Sequence, residues 1–298
     1  MKINIANAEL AEFAAELREH KNFREAVRHW ARAYLTPFRR SQILSRLTSS
    51  ETSQYIGWYL VYLDYWRDDD DPYSGILAST VRDFCSERGL ASQARVFAFL
   101  NVLRVAGHIE ADKPVGGVRV ARYRTTLKTV SMLRPLMVGF GESIQMLGLG
   151  DGFMRHVDAY PAATHAILAH AFKAFYLESG PVLDKVEELR PFILKDTATK
   201  IILSAYASDD GRQVGSAEFS FLAEWFGVSR PHVSRVIKLA EATGHIRQLS
   251  RGGQQVAISD ELEKLMDEYM SFHMAMIIKG QRLAIEYEKA RGRAPSNL

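Results

Sequence analysis

The sequence predicts a mainly α-helical chain built from two related halves, each carrying one small β-hairpin. Three observations point there. Residues 92–109 (SQARVFAFLNVLRVAGHI) and 229–246 (SRPHVSRVIKLAEATGHI) align without a gap at an offset of 137. Each copy runs from helical apolar spacing through a glycine into a β-branched segment and then a Gly-Gly pair. Long helical patterns flank both copies.

The alignment holds five identities: Ser92 with Ser229, Val96 with Val233, and Gly107-His108-Ile109 with Gly244-His245-Ile246. Chance gives roughly one in such a window at average residue usage, so the pattern reads as a duplication. Apolar type is also kept, as Phe99 with Val236, Leu100 with Ile237 and Val102 with Leu239. Each serine is placed to accept from free amides of a helix's first turn. Val96, Phe99, Leu100 and Leu103 form the buried face of one helix; Val233, Val236, Ile237 and Ala240 form that of the other. Gly107 and Gly244 close these helices in a left-handed conformation. The outgoing strands are His108–Glu110 and His245–Arg247. Hairpin tips fall at Gly116-Gly117 and Gly252-Gly253, with return strands at 118–123 and 254–258. A shorter helix precedes each serine, about 77–88 and 217–226, the latter burying Phe219, Leu222, Ala223 and Phe226. Further helices are expected at about 126–147 and 260–289. His29–Tyr34 and His170–Phe175 echo each other ahead of the two motifs.

Helix, turn, helix and hairpin, in that order, make a winged helix-turn-helix. FLAEWFGVSRPHVSRVIKLAEATGHI (residues 221–246) resembles the motif of MarR-like winged-helix regulators, over about 50 residues per copy. The resemblance implies a scaffold helix, a recognition helix and a β-wing in each half. It also implies outer helices that pair protomers, each about half this chain's length. Two protomers fused near residue 155 would form a single-chain pseudo-dimer; two tethered, unpaired winged domains are the alternative. The halves are then 1–155 (winged core about 55–128) and 156–298 (core about 196–259).

Charge follows the repeat. The net charge is +3, yet residues 92–128 carry +5 and residues 229–251 carry +4, leaving the remainder acidic. A recognition helix needs one apolar face for docking and one polar face for base edges in the major groove. In the second copy the outward positions are Arg230, Pro231, Ser234, Arg235 and Lys238, with Arg247 and Arg251 on the wing. Arginine and lysine suit guanine and phosphate. In the first copy they are Gln93, Ala94, Phe97, Ala98, Asn101 and Arg104. Gln93 and Asn101 suit adenine, and Phe97, out of place on such a face, is read as packing on the preceding helix or on a partner. Its wing carries Lys113, Arg119, Arg122 and Arg124, read as backbone contacts, with Arg122 expected to support binding to all sequences alike. The expected partner is double-stranded DNA and the expected role sequence-specific transcription regulation. Alternatives are a plasmid-type replication initiator and a winged scaffold that binds protein in a chromosome-organising complex. Two chains could pair through the helix at 260–289.

Other signals are weaker. No phosphate loop, nucleophile elbow or His-Glu-x-x-His pattern occurs, so neither an enzyme nor a cofactor is expected. Cys85 is a lone thiol, read as a core residue in a reducing, cytoplasmic setting. No signal peptide and no run of ~18 apolar residues is seen. His108 and His245 are read as packing residues, with no metal site. Asp68–Asp71 is a solvated loop without calcium-loop spacing. Gly148–Gly152 is a linker and residues 292–298 a frayed tail. Tyr55, Trp58, Tyr59, Tyr62, Tyr65 and Trp66 are read as core packed on the other half. A pocket for a small-molecule effector is the alternative for that stripe.

Overall fold

The computed structural model describes residues 5–40, 50–114, 120–149, 152–159, 162–177, 182, 186–190, 197–208, 213–249 and 255–291. The described chain is mainly helical with two small antiparallel sheets. The first half runs α1 (Ile5–Glu19), α2 (Phe23–Arg40), α3 (Glu51–Tyr65), β1 (Ile76–Leu77), α4 (Ala78–Glu87), α5 (Gln93–Val105), β2 (Ile109–Ala111), β3 (Arg122–Thr125) and α6 (Leu127–Met146). The second runs α7 (Phe153–Ala159), α8 (Ala163–Ala171, continuing as a π-helical turn over Phe172–Tyr176) and α9 (Ala198–Tyr206). It then runs β4 (Gln213–Gly215), α10 (Ser216–Phe226), α11 (Arg230–Ala242), β5 (Ile246–Gln248), β6 (Gln255–Ile258) and α12 (Asp260–Ala290).

The repeat predicted from sequence extends to individual hydrogen bonds. Ser92 Oγ accepts from the Arg95 amide and Ser229 Oγ from the His232 amide, so each serine caps its helix. Gly107 (φ +73°) and Gly244 (φ +79°) close α5 and α11. There the His108 amide donates to Leu103 O and the His245 amide to Ala240 O, each at 2.8 Å. Both histidines are buried, and their carbonyls accept from Thr126 N and Ser259 N, which fixes where α6 and α12 start. Burial, and then the nearby Lys128 ammonium, push the His108 pKa down, keeping the ring neutral in its packing role.

Three expectations change. Each hairpin is part of a three-stranded sheet, in order β1-β3-β2 and β4-β6-β5. The extra strands are two and three residues long, too short to show an alternation. The first return strand is Arg122–Thr125 rather than 118–123, because Ile109 pairs with Thr125 and Ala111 with Tyr123. Residue 155, near which the halves were expected to join, lies inside α7, and Gly148 (φ +67°) and Gly152 (φ +118°) precede that helix. The hairpin tips at 116–117 and 252–253, the Phe219 side chain and the tail at 292–298 lie outside the described residues.

Packing between the halves is reciprocal. Within each half the lead-in helix lies on the long helix that follows the sheet, α2 on α6 and α8 on α12. Across the halves α3 packs on α8 while α9 packs on α2, and α1 packs on α12 while α7 packs on α6. The aromatic stripe of α3 serves this contact: Tyr55 and Tyr59 lie on Phe172, Trp66 on Tyr287, and Tyr55 Oη donates to Tyr176 O at 2.9 Å. On the other side Arg24 and Arg28 of α2 pair with the buried Glu263 of α12 at 3.0 and 3.3 Å. Asp267 of α12, which Arg24 also reaches at 3.7 Å, accepts from Tyr206 Oη of α9 within the second half. Lys200 of α9, 1% exposed, holds its ammonium 3.9 Å from the centre of the Phe38 ring of α2.

Two consequences are measurable. A Cβ at Gly280 of α12 would stand 2.7 Å from Ala171 Cβ and 2.8 Å from Ile167 O of α8. Gly280→Ala therefore forces the helices apart and is expected to cost about 1–3 kcal/mol. Gly57→Ala meets nothing within 4 Å and is expected to stabilise by about 0.5–1 kcal/mol; urea unfolding compares the two. Burial lowers the Lys200 pKa from 10.5 to about 7. Between those values the unfolded chain binds more protons, so stability rises with pH over that window. Unfolding titrations from pH 7 to 10 are expected to show this rise, and Lys200→Met to flatten it.

Candidate nucleic-acid interface

Helix α11 separates its residues by chemistry. Val233, Val236, Ile237 and Ala240 are buried against the second half, while Arg230, Pro231, Ser234, Arg235 and Lys238 are exposed along the opposite face. Pro231 sits in the first turn, where a missing amide breaks no intrahelical bond. Among the described residues no carboxylate pairs with Arg230, Arg235 or Lys238. The strand beside the helix adds a further cation. Arg247 of β5 is exposed and stands across from Ala257 of β6, so its own sheet offers it no counter-charge. Gln248 beside it donates to Glu241 of α11 at 2.8 Å, tying strand to helix. Arg251 lies outside the described residues.

Helix α5 holds the matching place in the repeat with different chemistry on its exposed face. Gln93, Ala94, Phe97, Ala98, Asn101 and Arg104 are all exposed, as expected. Phe97 stays 43% exposed instead of packing on the preceding helix. Arg104 donates to Asn101 Oδ1 at 3.0 Å along the helix. Lys128 donates to the Ala106 carbonyl, at the end of α5 where the helix dipole favours a cation.

The surroundings of β2 and β3 depart most from expectation. Arg122 is not a surface cation. It is 5% exposed and pairs with Asp112 at 2.8 Å. It also donates to the carbonyls of Asp68 and Asp71, at 3.2 and 3.0 Å. Arg67 joins this cluster through Asp112 at 3.8 Å and also pairs with Asp64 and Asp69. Arg122 thus locks the acidic loop after α3 to β3 and cannot reach a phosphate. Asp68–Asp71, expected as a merely solvated loop, supplies the carbonyls of this lock. Arg124 is half-exposed, but Glu110 is its cross-strand neighbour and pairs with it at 2.8 Å. Lys113 is exposed and Arg119 lies outside the described residues.

The sequence reading missed this network, yet a signal was present. Glu110 and Arg124, like Asp112 and Arg122, are symmetric in the sequence about Gly117. A hairpin therefore sets each acid opposite its arginine. Thr125 Oγ1 then contacts His165 Nε2 of α8 at 3.1 Å and Asp64 of α3, joining the sheet to the second half.

Among the described residues no group of three or more His, Cys, Asp or Glu side chains could hold a metal ion, and no helix is long and apolar enough to cross a membrane. Cys85 is a buried free thiol whose pKa burial pushes up to about 11. An apolar cavity of about 100 Å³ lies between α2, α3, α5 and α6, bordered by Trp58, Phe99, Leu103 and Leu133.

Burial would raise the Asp112 pKa, but the Lys113 amide and the Arg122 and Arg67 guanidiniums more than offset it, leaving it below the ordinary value. That stability is present above the unfolded carboxyl's pKa, near 3.9, and is lost as pH falls through the lower folded value. Arg122→Ala removes the shortest ion pair of Asp112 together with two donors to the loop carbonyls, and is expected to cost about 3 kcal/mol in chemical denaturation. Arg124→Ala, at a surface pair, is expected to cost under ~1 kcal/mol.

Comparison with protein families, with curated proteins and with solved structures found no match to this chain.

Proposed function

We propose that this protein is a sequence-specific double-stranded DNA-binding transcription regulator. In this reading it is a pseudo-dimer of two winged helix-turn-helix units, and α11 is its principal recognition helix. One observation carries the reading: Arg230, Ser234, Arg235 and Lys238 stand together on the exposed face of a helix whose other face is buried. A helix fits the major groove, and arginine and lysine there make the commonest specific contacts, to guanine O6 and N7. Arg230 lies at the N-terminal end of α11, the end that approaches base edges in helix-turn-helix docking. Arg247, facing no acid across its sheet, is placed for a phosphate.

The reciprocal packing of the halves supports the pseudo-dimer. In an isologous contact, if element i of one protomer meets element j of the other, then j also meets i. The pairs α3–α8 with α9–α2, and α1–α12 with α7–α6, obey that rule inside one chain. The order helix, turn, helix and small sheet in each half supports the winged reading and the resemblance to MarR-like regulators.

The test is DNA binding by the full chain, first on a randomised duplex pool and then on the selected duplex across a salt series. Affinity is expected to fall steeply with salt as counterions return to the phosphates. Arg235→Ala is expected to relax the preference at one base pair, costing about 1–3 kcal/mol on the selected duplex. Lys238→Ala is expected to flatten the salt slope. No selected sequence, or variants that bind like the parent, would contradict the reading.

A further inference from the structure

The two recognition helices hold matched positions but different side chains. At the offset of 137, Arg230, Pro231, Ser234, Arg235 and Lys238 of α11 correspond to Gln93, Ala94, Phe97, Ala98 and Asn101 of α5. All ten are exposed. The helices carry the same serine cap, the same closing glycine and the same sheet beside them. The local frame is therefore kept, and the chemistry of the outward face has changed from cationic to amide and apolar.

Those residue types fit a particular base pair. Asparagine and glutamine pair bidentately with adenine N6 and N7, and alanine and phenylalanine make apolar contact with the thymine methyl. Gln93 and Asn101 bracket Ala94, Phe97 and Ala98 on one helix face, so the adenine-reading and methyl-contacting groups lie side by side. This gives exposed Phe97 an occupation that neither solvent nor its own helix pair provides. The first wing is poor at holding phosphates, since Arg122 is buried in its acidic lock and Arg124 faces Glu110. The first unit then adds selectivity more than affinity. Covalent attachment to the second unit raises the effective concentration at which it meets its bases.

We propose that the chain reads an asymmetric duplex: a half-site containing G·C pairs under α11, and a neighbouring half-site of A·T pairs under α5, whose thymine methyls meet Phe97 and Ala98. The proposal rests on the DNA-binding reading above and goes further by naming the second half-site.

The experiment is selection of full-length protein on a randomised duplex, followed by competition with duplexes in which each half of the selected site is scrambled separately. The expected site is non-palindromic. Replacing its A·T half is expected to weaken binding about five- to hundredfold, the range for loss of a base-edge contact. Phe97→Ala with Asn101→Ala is expected to erase the A·T preference and leave the G·C half-site preference intact. The fourfold graft Gln93→Arg, Phe97→Ser, Ala98→Arg, Asn101→Lys is expected to shift selection toward two G·C-containing half-sites. Three results overturn the proposal. A palindromic site for the parent chain does so directly. A selected site with no preference beyond the α11 half does so while sparing DNA binding by α11; the apolar edge at Phe97, Val102 and Val105 would then be a protein-docking face. Absence of any selected sequence overturns this proposal and the DNA-binding reading together.

Discussion

The core depends on how α2 and α8 are buried. Each lies along the long helix of its own half and receives a helix from the other half, so neither half can complete its core alone. Most of this contact is aromatic and aliphatic, and its non-directional gain scales with the area removed from water. Its polar part is directional. Arg24 and Arg28 reach Glu263, and Tyr55 reaches the Tyr176 carbonyl. Buried carboxylates are costly unless paired and hydrogen-bonded, so these groups penalise any sliding of one half on the other. The glycine at 280 sets the approach distance of α8 and α12.

The two units have diverged at the surface and kept their interior. The caps at Ser92 and Ser229, the left-handed glycines, the buried histidines and the strand order are shared. The outward faces and the wings differ. In the second unit the arginines of helix and strand stay exposed. In the first, Arg124 and Arg122 of β3 are paired with Glu110 and Asp112, and Arg122 anchors the loop after α3. An arginine's contribution to an interface therefore depends on what its cross-strand neighbour is. The charge total of a segment does not contain that information.

Much of the fold was legible because its signals are local. Helical spacing, serine caps and closing glycines are set within a few residues, and long helices such as α12 emerged within a residue or two of their expected ends. The repeat at 137 supplied a second reading of the same structure. What escaped was short or non-local. The strands at 76–77 and 213–215 have too few residues to show a period. The π-helical turn at Phe172–Tyr176 accompanies packing of its aromatics against α3, a tertiary contact. At the candidate interface, the outward faces of α5 and α11 followed from periodicity. The burial of Arg122 required knowing that the acidic loop after α3, some fifty residues earlier in the chain, folds back onto β3.

The most direct test of the account is side-chain footprinting of the full chain with and without a duplex selected from a random pool. Mass-spectrometric labelling of lysine and arginine would be read residue by residue. The account predicts protection at Arg230, Arg235, Lys238 and Arg247, with Arg122 unreactive in both states because it is already buried. Unchanged labelling along α11, with protection on some other surface, would contradict it.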